Sequence, residues 1–434
     1  MTTLPSSFTD SFKAEPYWWD HTPLAESTVQ TPPESVDVLV IGSGYTGLHA
    51  AIQTARADLS TVVLDSHAAG YGCSSRNGGQ ISTSIKYNYP ALEKKYGEAI
   101  ARDILTIGKA SLDYVGDFVK QENISCSHNN CGRFHGAHTP RAYDAMEREL
   151  EIPNPVFNSE AFLVTRHDQY RELGTERYYG GTVFPHYASV DPGQYHRGCL
   201  TTAQNAGAKI ISHCKVTDFT KHPGGHLVQT KKGTVIAKQI IVATNGYTTN
   251  LTPWQQRRVI PIGSYIIATD EIEPDLIDKL MPTNRMLTDS RKLVYYYRPS
   301  PDRKRILFGG RVSLSETDPV KSATMLRDEL LRLFPELKKI QISHSWAGTV
   351  AYTFNSLMHC GEQQGVHYAM GYCGSGVGMA SYLGRCIGRQ VAGTDTDPIP
   401  LSQINFPTRP LYTGTPWFLA PSVWLYRMRD RLPW

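Results

Sequence analysis

One stretch decides the fold: Val36-Asp37-Val38-Leu39-Val40-Ile41-Gly42-Ser43-Gly44-Tyr45-Thr46-Gly47. An apolar run suited to a β-strand leads into Gly-x-Gly-x-x-Gly and then into a helix-compatible sequence, an arrangement typical of a turn that binds a dinucleotide. Gly42 permits the tight turn, Gly44 lets the backbone approach a pyrophosphate, and Gly47 lets the helix pack on the strand. The helix N-terminus attracts the phosphates. A glycine turn in an ordinary α/β domain is the alternative.

The second strand of this unit ends in a carboxylate. The apolar run Thr61-Val62-Val63-Leu64 is followed by Asp65, at about the distance expected for a residue that accepts hydrogen bonds from ribose hydroxyls. We therefore predict that Asp65, with the adjacent Ser66, binds the nucleotide.

A second glycine-rich loop indicates which nucleotide is bound. It runs Gly70-Tyr71-Gly72-Cys73-Ser74-Ser75-Arg76-Asn77-Gly78-Gly79-Gln80, and a plain nicotinamide domain would not need it, so it favours FAD. The loop resembles the flavin loop of amine and amino-acid oxidoreductases of the D-amino-acid oxidase family, usually Gly-Ala-Ser-Gly-Arg-Asn-Gly-Gly-Gln. Cys73 stands for the alanine of that form and Ser75 for its second glycine, and both replacements are small.

The resemblance extends, in order and spacing, over nearly the whole chain. It continues at three further stretches, Val235–Tyr247, Trp346–Thr349 and Tyr368–Met379. Within the family the strongest resemblance is to the γ-glutamylputrescine oxidoreductases, and it includes the N-terminal leader and the closing Arg429-Asp430-Arg431-Leu432.

The resemblance also implies that the FAD is held noncovalently. In the sarcosine oxidases of the family a cysteine just before a Tyr-Thr pair carries the flavin, whereas this chain has Val350-Ala351-Tyr352-Thr353, and Cys360 lies several residues too far along. The residues expected to bind FAD are Gly42, Ser43, Gly44, Tyr45, Thr46, Gly47, Asp65, Ser66, Ser74, Ser75, Arg76, Asn77, Gly78, Gly79, Gln80, Val216, Ala243, Thr244, Gly246, Gly348, Gly371, Gly374, Ser375, Gly376, Val377 and Gly378. No metal is expected.

The glycine-rich loop Gly374–Gly378 precedes a predicted helix over 379–391. Backbone N–H groups and a positive helix end there would face the pyrimidine edge of the flavin, where the reduced flavin is anionic. A glycine turn that closes a parallel strand is the alternative. Relatives usually have Gly-His-Gly where this chain has Gly374-Ser375-Gly376, so Ser375 becomes a catalytic candidate and a histidine-assisted step is placed in doubt.

The segment Val294-Tyr295-Tyr296-Tyr297-Arg298 resembles a family strand that ends in a Tyr and an Arg facing the flavin. A planar guanidinium suits a substrate carboxylate, so Tyr296 and Arg298 are the other catalytic candidates. Strand alternation puts Tyr296 and Arg298 on one face and Tyr295 and Tyr297 on the other. Ordinary sheet tyrosines with Arg298 in a surface ion pair are the alternative.

Two further arginines follow Arg298 as candidate carboxylate clamps. They are Arg76 and Arg311, although Gly309-Gly310-Arg311 is more readily a structural feature. Three histidines, His186, His196 and His359, are weaker candidates for a base, because a single histidine is more often structural. No Gly-x-Ser-x-Gly elbow supports a hydrolase.

Composition agrees with a cytoplasmic enzyme. The chain has 434 residues, 40% of them hydrophobic, which favours two domains, and its formal charge of +4 argues against a nucleic-acid partner. Neither a signal peptide nor an apolar run of the roughly 20 residues that span a bilayer is expected. Cys126 and Cys131 lack a matching second pair, so zinc is disfavoured and reduced thiols are expected.

The predicted fold class is α/β: a discontinuous Rossmann-like FAD-binding domain with a second, mixed antiparallel-sheet substrate domain. The FAD-binding domain is assigned to 36–90, 185–250 and 345–400, the substrate domain to 91–184 and 251–344, the leader to 1–35 and the tail to 401–434. Helices are predicted over 103–121, 141–151 and 322–334, and strands over 260–269, 292–298 and 305–310.

The aromatic, basic tail is compatible with contact to a membrane surface, although a helix packed on its own domain is favoured. The resemblance implies oxidation of the C–N bond of an amine or amino acid to an imine, which water splits to a carbonyl compound. A γ-glutamylated polyamine and a secondary amino acid are the two candidate substrates, and oxygen and a quinone the two candidate oxidants. A flavin-binding regulatory or partner subunit without catalysis is the alternative from another class.

Overall fold

Two β-sheets organise the chain in this computed structural model, which describes residues 5–27, 30–310 and 318–431. The strands are β1 (Phe8–Lys13), β2 (Ser35–Ile41), β3 (Thr61–Leu64), β4 (Gln80–Ile81), β5 (Arg133–Gly136), β6 (Phe162–Val164), β7 (Gly181–Phe184), β8 (Ala188–Ser189), β9 (Lys209–Ile211), β10 (Val216–His222), β11 (Gly225–Thr230), β12 (Gly233–Val242), β13 (Val259–Thr269), β14 (Met286–Asp289), β15 (Tyr296–Pro299), β16 (Ile306–Gly310), β17 (Ile342–Thr353), β18 (His359–Gln363) and β19 (Val366–Met370). The α-helices are α1 (Tyr45–Arg56), α2 (Tyr89–Tyr96), α3 (Glu98–Gln121), α4 (Pro140–Leu150), α5 (Pro192–Asn205), α6 (Pro253–Gln256), α7 (Pro274–Leu280), α8 (Pro319–Leu333), α9 (Gly376–Val391) and α10 (Leu419–Arg431). Short 3-10 turns cover Tyr17–Asp20, Cys73–Ser75, Gln169–Arg171, Asn245–Tyr247, Pro335–Leu337 and Pro400–Gln403.

The first sheet has the strand order β10-β11-β12-β2-β3-β9, and β19 with β18 is added beside β12. Strands β12, β2, β3 and β9 run parallel. Parallel strands are covered on both faces, which explains why β2 is an almost unbroken apolar run whose Val38, Leu39 and Val40 are fully buried. The carboxyl ends of β2 and β3 therefore open at one edge of the sheet, as a nucleotide site requires.

Helices α1 and α9 pack together at bare glycine positions. A Cβ on Gly384 would lie 2.4 Å from the Thr46 carbonyl oxygen, and one on Gly388 would lie 2.6 Å from the Ala50 carbonyl oxygen. Only hydrogen fits at such separations, so the Gly-x-x-x-Gly spacing in α9 sets how closely the two helices approach. Both helices consequently begin on the same side of the molecule.

The second sheet has the order β1-β17-β13-β16-β15-β14-β5-β7-β6 and is mostly antiparallel. Its outer face packs on α8, with Phe308, Leu326 and Phe334 fully buried between them. Tyr297 faces this core, where its ring centroid is 5.3 Å from that of Phe308. Tyr296 points to the opposite face, as strand alternation predicted.

The predicted fold class is confirmed, and most of the predicted elements are present. The helices predicted over 103–121, 141–151 and 322–334 correspond to α3, α4 and α8, and the strands over 260–269 and 305–310 to β13 and β16. The strand predicted over 292–298 begins only at Tyr296, because the backbone N–H groups of Lys292 and Leu293 donate to the Asp430 carboxylate instead of to a neighbouring strand.

Two segments lie outside the ranges predicted for their domains. Strand β17 belongs to the second sheet, although most of it falls within 345–400. Helix α3 packs in the core of the first sheet, although its residues fall within 91–184. The predicted leader supplies β1, which pairs with β17, and it also supplies the fully buried Trp18.

The tail packs partly on the protein. Phe406 stacks on His359 with ring centroids 4.1 Å apart, whereas the Trp417 side chain is largely exposed. Contact between the tail and a membrane surface stays a prediction. Within the described ranges, no helix has both the length and the apolar character needed to cross a membrane.

Trp18 should contribute strongly to stability. We expect Trp18→Ala to cost about 3–5 kcal/mol, because it empties a fully buried site, and to lower the Tm measured by circular dichroism. Trp417→Ala is the matched control, since this tryptophan is 68% exposed and its removal should leave the Tm nearly unchanged. Equal effects of the two substitutions would contradict the packing described for the leader.

Candidate active site

A cavity of about 1040 Å³ lies between the two sheets. The first sheet contributes the ends of β2, β3 and β12, and the second contributes side chains of β5, β13, β14 and β15. The loop over 70–80 and the first residues of α9 complete the lining. Nucleotide-binding elements and a polar sheet face therefore share one continuous space.

The turn between β2 and α1 forms one end of the cavity. Gly42 has a φ of +105°, a conformation that favours glycine. A Cβ on Gly44 would lie 2.9 Å from Ser74 Oγ. Gly44 is also the N-cap of α1 and offers no side chain of its own, and the first N–H of the helix, that of Tyr45, donates to the Ser74 hydroxyl at 2.9 Å. This geometry fits the pyrophosphate of a dinucleotide.

Asp65 is held by three donors at the end of β3. Its Oδ2 accepts from the Ser43 N–H at 2.9 Å and from the Ser43 hydroxyl at 2.6 Å, and its Oδ1 accepts from the His67 N–H at 3.0 Å. Asp65 lines the cavity, whereas Ser43 is fully buried behind it. Ser43 therefore orients the carboxylate that is suited to a ribose.

Three indole N–H groups fix the loop over 70–80. Trp18 donates to the Asn77 carbonyl at 3.0 Å, Trp19 to the Ser75 hydroxyl at 2.9 Å, and Trp346 to the Arg76 carbonyl at 2.7 Å. The three acceptors are consecutive residues. The leader and the second sheet thus both hold the loop on the cavity.

The start of α9 faces the cavity from another side. Gly374, Ser375, Gly376 and Val377 all line it. The Ser375 carbonyl accepts from the Ser84 hydroxyl at 2.8 Å, which fixes the N-cap. The positive end of the helix dipole is therefore directed at the cavity, where it would stabilise a developing negative charge.

The second sheet presents a polar face. The Tyr296 and Ser264 hydroxyls are 2.8 Å apart, and His135 Nδ1 is 2.8 Å from the Thr288 hydroxyl. Burial, with a smaller effect of the nearby Arg133, lowers the pKa of His135 to about 3, so its imidazole is neutral at pH 7. His135 also lines a neighbouring cavity of about 600 Å³ under α4.

The structure does not bring Arg298 to the cavity lining. Its guanidinium donates to the Val190 carbonyl at 2.9 Å and to the Pro299 carbonyl at 3.2 Å, and its side chain is buried. Arg298 therefore forms no surface ion pair with a described residue, and its guanidinium is bonded to backbone carbonyls of the protein rather than facing the cavity. Arg298 instead joins β15 to the segment that ends at Val190.

The other predicted clamps are also accounted for. Arg76 lines the cavity, but its Nε donates to the Tyr71 carbonyl at 2.6 Å and one terminal nitrogen donates to the Ala347 carbonyl at 3.1 Å. Arg311 lies outside the described residues. Gly309 has a structural use, because a Cβ there would lie 2.3 Å from the Tyr296 ring.

Most of the residues predicted to bind FAD line the cavity. Those that do so are Gly42, Gly44, Tyr45, Thr46, Asp65, Ser66, Ser74, Arg76, Asn77, Gly78, Gln80, Val216, Ala243, Thr244, Gly246, Gly348, Gly374, Ser375, Gly376 and Val377. Those that lie behind the lining are Ser43, Gly47, Ser75, Gly79, Gly371 and Gly378.

The residues behind the lining shape it through their neighbours. A Cβ on Gly47 would lie 1.9 Å from the Gly42 carbonyl oxygen, so the absence of a side chain lets α1 pack directly against the turn that follows β2. A Cβ on Gly378 would lie 2.7 Å from the Ser111 carbonyl oxygen. The Ser75 hydroxyl donates to the Gly70 carbonyl at 2.6 Å.

Sequence reasoning missed the lining residues of the second sheet. Arg133 and His135 on β5, together with Ser264 and Thr288, belong to no motif. The available signal was strand alternation, which places Arg133 and His135 on one face with Phe134 on the other. Sequence reasoning also missed three lysines that line the cavity from the first sheet and its loops, because they belong to no motif. They are Lys86, Lys215 and Lys231.

The three candidate histidines lie elsewhere. His186 is exposed and lies 3.1 Å from Glu160. His196 Nε2 is 2.8 Å from the Ser43 carbonyl oxygen, and His359 is stacked on Phe406. None of the three is among the described residues that line the cavity.

The fold and the site define an FAD-dependent oxidoreductase. The family model described as FAD dependent oxidoreductase, DAO, matches residues 37–390, and the chain belongs to that family. The chain is 30% identical to γ-glutamylputrescine oxidoreductase of Escherichia coli over 401 residues, which cover 91% of this chain and 93% of that one. It is 30% identical to the probable oxidoreductase OrdL of Rhizobium meliloti over 405 residues, with 91% and 92% covered.

Solved structures share the fold at low sequence identity. Glycine oxidase from Geobacillus kaustophilus has a TM-score of 0.68 at 16% identity and covers 86% of this chain and 100% of that one. L-proline dehydrogenase from P. horikoshii has a TM-score of 0.70 at 18% identity, with 90% and 99% covered.

Asp65 should govern retention of FAD. We expect Asp65→Ala to weaken binding by about 1.5–3 kcal/mol for each charge-assisted hydrogen bond lost, measured as the flavin-to-protein absorbance ratio after gel filtration. Asp37→Ala is the control, because Asp37 makes the same kind of carboxylate pairing with Ser60 in the same sheet, away from the cavity. An unchanged ratio in Asp65→Ala would assign the carboxylate another role.

Denaturation should release all of the flavin. In the stretch Val350–Thr353, where the sarcosine oxidases carry the flavin on a cysteine, this chain has no cysteine, and Val350 lines the cavity. Cys360 is buried and is not among the residues that line the cavity. Cys73 does line it, but burial raises the pKa of this thiol to about 11, so it is a weak nucleophile at pH 7. Acid precipitation should leave the yellow colour in the supernatant, and colour retained in the washed pellet would indicate a covalent bond.

Proposed function

We propose that this protein oxidises the C–N bond of an amine or amino acid to an imine, which water splits to a carbonyl compound and an amine or ammonia. The observation that carries the proposal is the single cavity that joins the nucleotide cradle to the polar face of the second sheet. Bound FAD supplies the chemistry, since it accepts a hydride from the carbon that bears the nitrogen.

The substrate end of the cavity favours a neutral amine. Lys86 and Arg133 line it, and among the described lining residues the carboxylate is that of Asp65, at the cradle. Nearby positive charge disfavours an ammonium, so the pKa of a bound amine falls and its nitrogen lone pair becomes available. The neutral His135 can accept a hydrogen bond from that amine without holding its proton.

Two of the predicted catalytic residues keep a role in the proposal. Tyr296, coupled to the Ser264 hydroxyl, would orient the substrate against the flavin. Ser375, at the N-cap of α9, would help to stabilise negative charge with the helix dipole. Arg298 is assigned a positioning role, because its guanidinium holds the Val190 carbonyl and does not reach the cavity.

The relative named for γ-glutamylputrescine supports a γ-glutamylated polyamine as one substrate candidate. A secondary amino acid is the other, and cations at the substrate end are compatible with the carboxylate of either molecule. Membership of an oxidoreductase family supports an enzyme over a flavin-binding subunit without catalysis.

Anaerobic reduction tests the proposal directly. A panel of amines and amino acids is mixed with the yellow holoprotein without oxygen, and at least one should bleach the flavin absorbance and yield a carbonyl product. Tyr296→Phe should slow that bleaching by about tenfold or more, because a hydrogen bond to the substrate is lost, while FAD content stays unchanged.

Readmission of air then separates the two oxidants. Rapid return of the yellow colour indicates oxygen, and its return only with an added quinone indicates a dehydrogenase. If dithionite reduces the holoprotein but no compound of the panel does, the proposed oxidation is contradicted.

A further inference from the structure

A second cavity adjoins the one between the two sheets. It has a volume of about 600 Å³ and lies under α4, and we call it the α4 pocket. Cavities of about 300–1,000 Å³ are typical of small-molecule sites. The two cavities share a residue of their linings, His135. The α4 pocket is therefore large enough for part of a ligand and lies beside the proposed active site.

Helix α4 covers this pocket with its apolar side. Ala142, Ala145, Met146 and Leu150 line the pocket, at the spacing of one helix face. None of the eleven residues of α4, all of which the structure describes, is buried. A surface helix normally buries its apolar face against the core. Helix α4 instead keeps apolar surface that a bound group would cover.

Hydrogen bonds join the parts of the chain that form the wall of the α4 pocket. Asn88, the N-cap of α2, donates from its side-chain amide to both carboxylate oxygens of Glu149 on α4 at 3.2 Å. The Asp430 carboxylate on α10 accepts from the backbone N–H groups of Lys292 and Leu293. The pocket is therefore enclosed by connected elements and is not a gap between separate loops.

The lining changes in character with its exposure to solvent. The buried lining residues carry no charge, and they are Thr83, Leu105 and Thr182. The rings of Phe184 and Tyr187 add an aromatic stack with centroids 5.1 Å apart. The exposed charged residues of the lining have both signs, and they are Arg141, Glu149 and Lys292. The interior consequently favours an uncharged, apolar group.

A row of paired residues connects the α4 pocket to the cavity between the sheets. Thr182 on β7 pairs with His135 on β5, and His135 pairs with Thr288 on β14. Thr288 in turn pairs with Tyr296 on β15. Thr182 lines the α4 pocket, whereas Thr288 and Tyr296 line the cavity between the sheets. Neighbouring strands are about 4.8 Å apart, so the row spans roughly 14 Å.

The junction between the two cavities suits an uncharged chain. His135 Nδ1 is 2.8 Å from the Thr288 hydroxyl, which fixes the ring. Because this imidazole is neutral at pH 7, an apolar chain can lie against it without removing a charge from water. A molecule that lies along the row reaches Tyr296 with one end and the α4 pocket with the other.

We propose that the α4 pocket binds the far end of the substrate, an apolar chain or ring joined to the amine that is oxidised, with His135 at the junction. This inference rests on the proposed function and adds the class of substrate, an elongated amine. The affinity comes from burial of apolar surface, since Met146 and Leu150 on α4 are removed from water when such a chain binds.

Binding of straight-chain amines of increasing length tests the inference without turnover. Butylamine, hexylamine, octylamine and decylamine are titrated into the FAD-loaded protein after reduction by dithionite, so that no amine can be oxidised, and binding is measured by calorimetry. Each methylene that enters the apolar pocket should tighten binding by about three- to fourfold. Decylamine should therefore bind far more tightly than butylamine.

Two variants that fill the pocket locate the effect. Met146→Trp should weaken decylamine binding by about tenfold or more, because the indole occupies the space of the chain, and should leave butylamine binding unchanged. Ala142→Leu is a milder filling that serves if Met146→Trp is unstable. Glu147→Trp is the matched control, because Glu147 is the next residue of α4, is exposed and is outside the described lining. FAD content and Tm are measured for every variant.

Two results would overturn the inference. One is a parent protein that binds decylamine no more tightly than butylamine. The other is a folded Met146→Trp or Ala142→Leu protein with the same dependence on chain length as the parent. If Glu147→Trp weakens decylamine binding as much as Met146→Trp does, the effect belongs to the helix as a whole and the assignment of the pocket also fails.

Bleaching of the oxidised flavin by the same amines separates the two proposals. If short and long amines bleach the flavin at equal rates in the parent and in the filled variants, the oxidation stands and the α4 pocket has no part in it. If decylamine binds through the pocket but no amine or amino acid of the panel bleaches the flavin, the pocket stands as a binding site and the oxidation fails.

Discussion

The loop over 70–80 is held by three indole N–H groups that donate to consecutive residues, Ser75, Arg76 and Asn77. Two of the donors come from the leader and the third comes from β17, so the loop connects the leader to the second sheet. Indole has a single donor and a rigid ring, and a buried indole must find an acceptor. The loop that lines the cavity beside the nucleotide cradle is consequently positioned by parts of the chain far from it in sequence.

Packing of helices provides the second constraint. Because Gly384 and Gly388 lack Cβ atoms, α9 approaches the backbone of α1 closely. The N-termini of both helices then line one cavity, one at the turn after β2 and the other at Ser375. Two helix dipoles thus favour negative charge at two separate points of the cavity, as a pyrophosphate and a reduced flavin would require.

Charge is distributed unevenly along the cavity. The described lining contains one carboxylate, Asp65, which is fixed at the cradle, whereas cations occur at both ends. This distribution of charge favours negatively charged groups in a bound ligand, such as the phosphates of FAD. The neutral state of His135 is part of this pattern, because burial and the adjacent Arg133 both disfavour its protonation.

The sequence predicted the nucleotide cradle from local features, the turn at Gly42 and the carboxylate that follows β3, whereas the choice of FAD and the fold class also depended on the family resemblance that extends along the chain. It also predicted most helices and strands from periodicity. It could not predict the polar face of the second sheet, because His135, Thr288 and Tyr296 are brought side by side only by the pairing of β5, β14 and β15. For the same reason Arg298 was expected at the flavin: its actual partner, the Val190 carbonyl, lies 108 residues away in the chain. Only tertiary structure decides which guanidinium lines the cavity, as that of Arg133 does, and which is held by a distant backbone carbonyl, as that of Arg298 is.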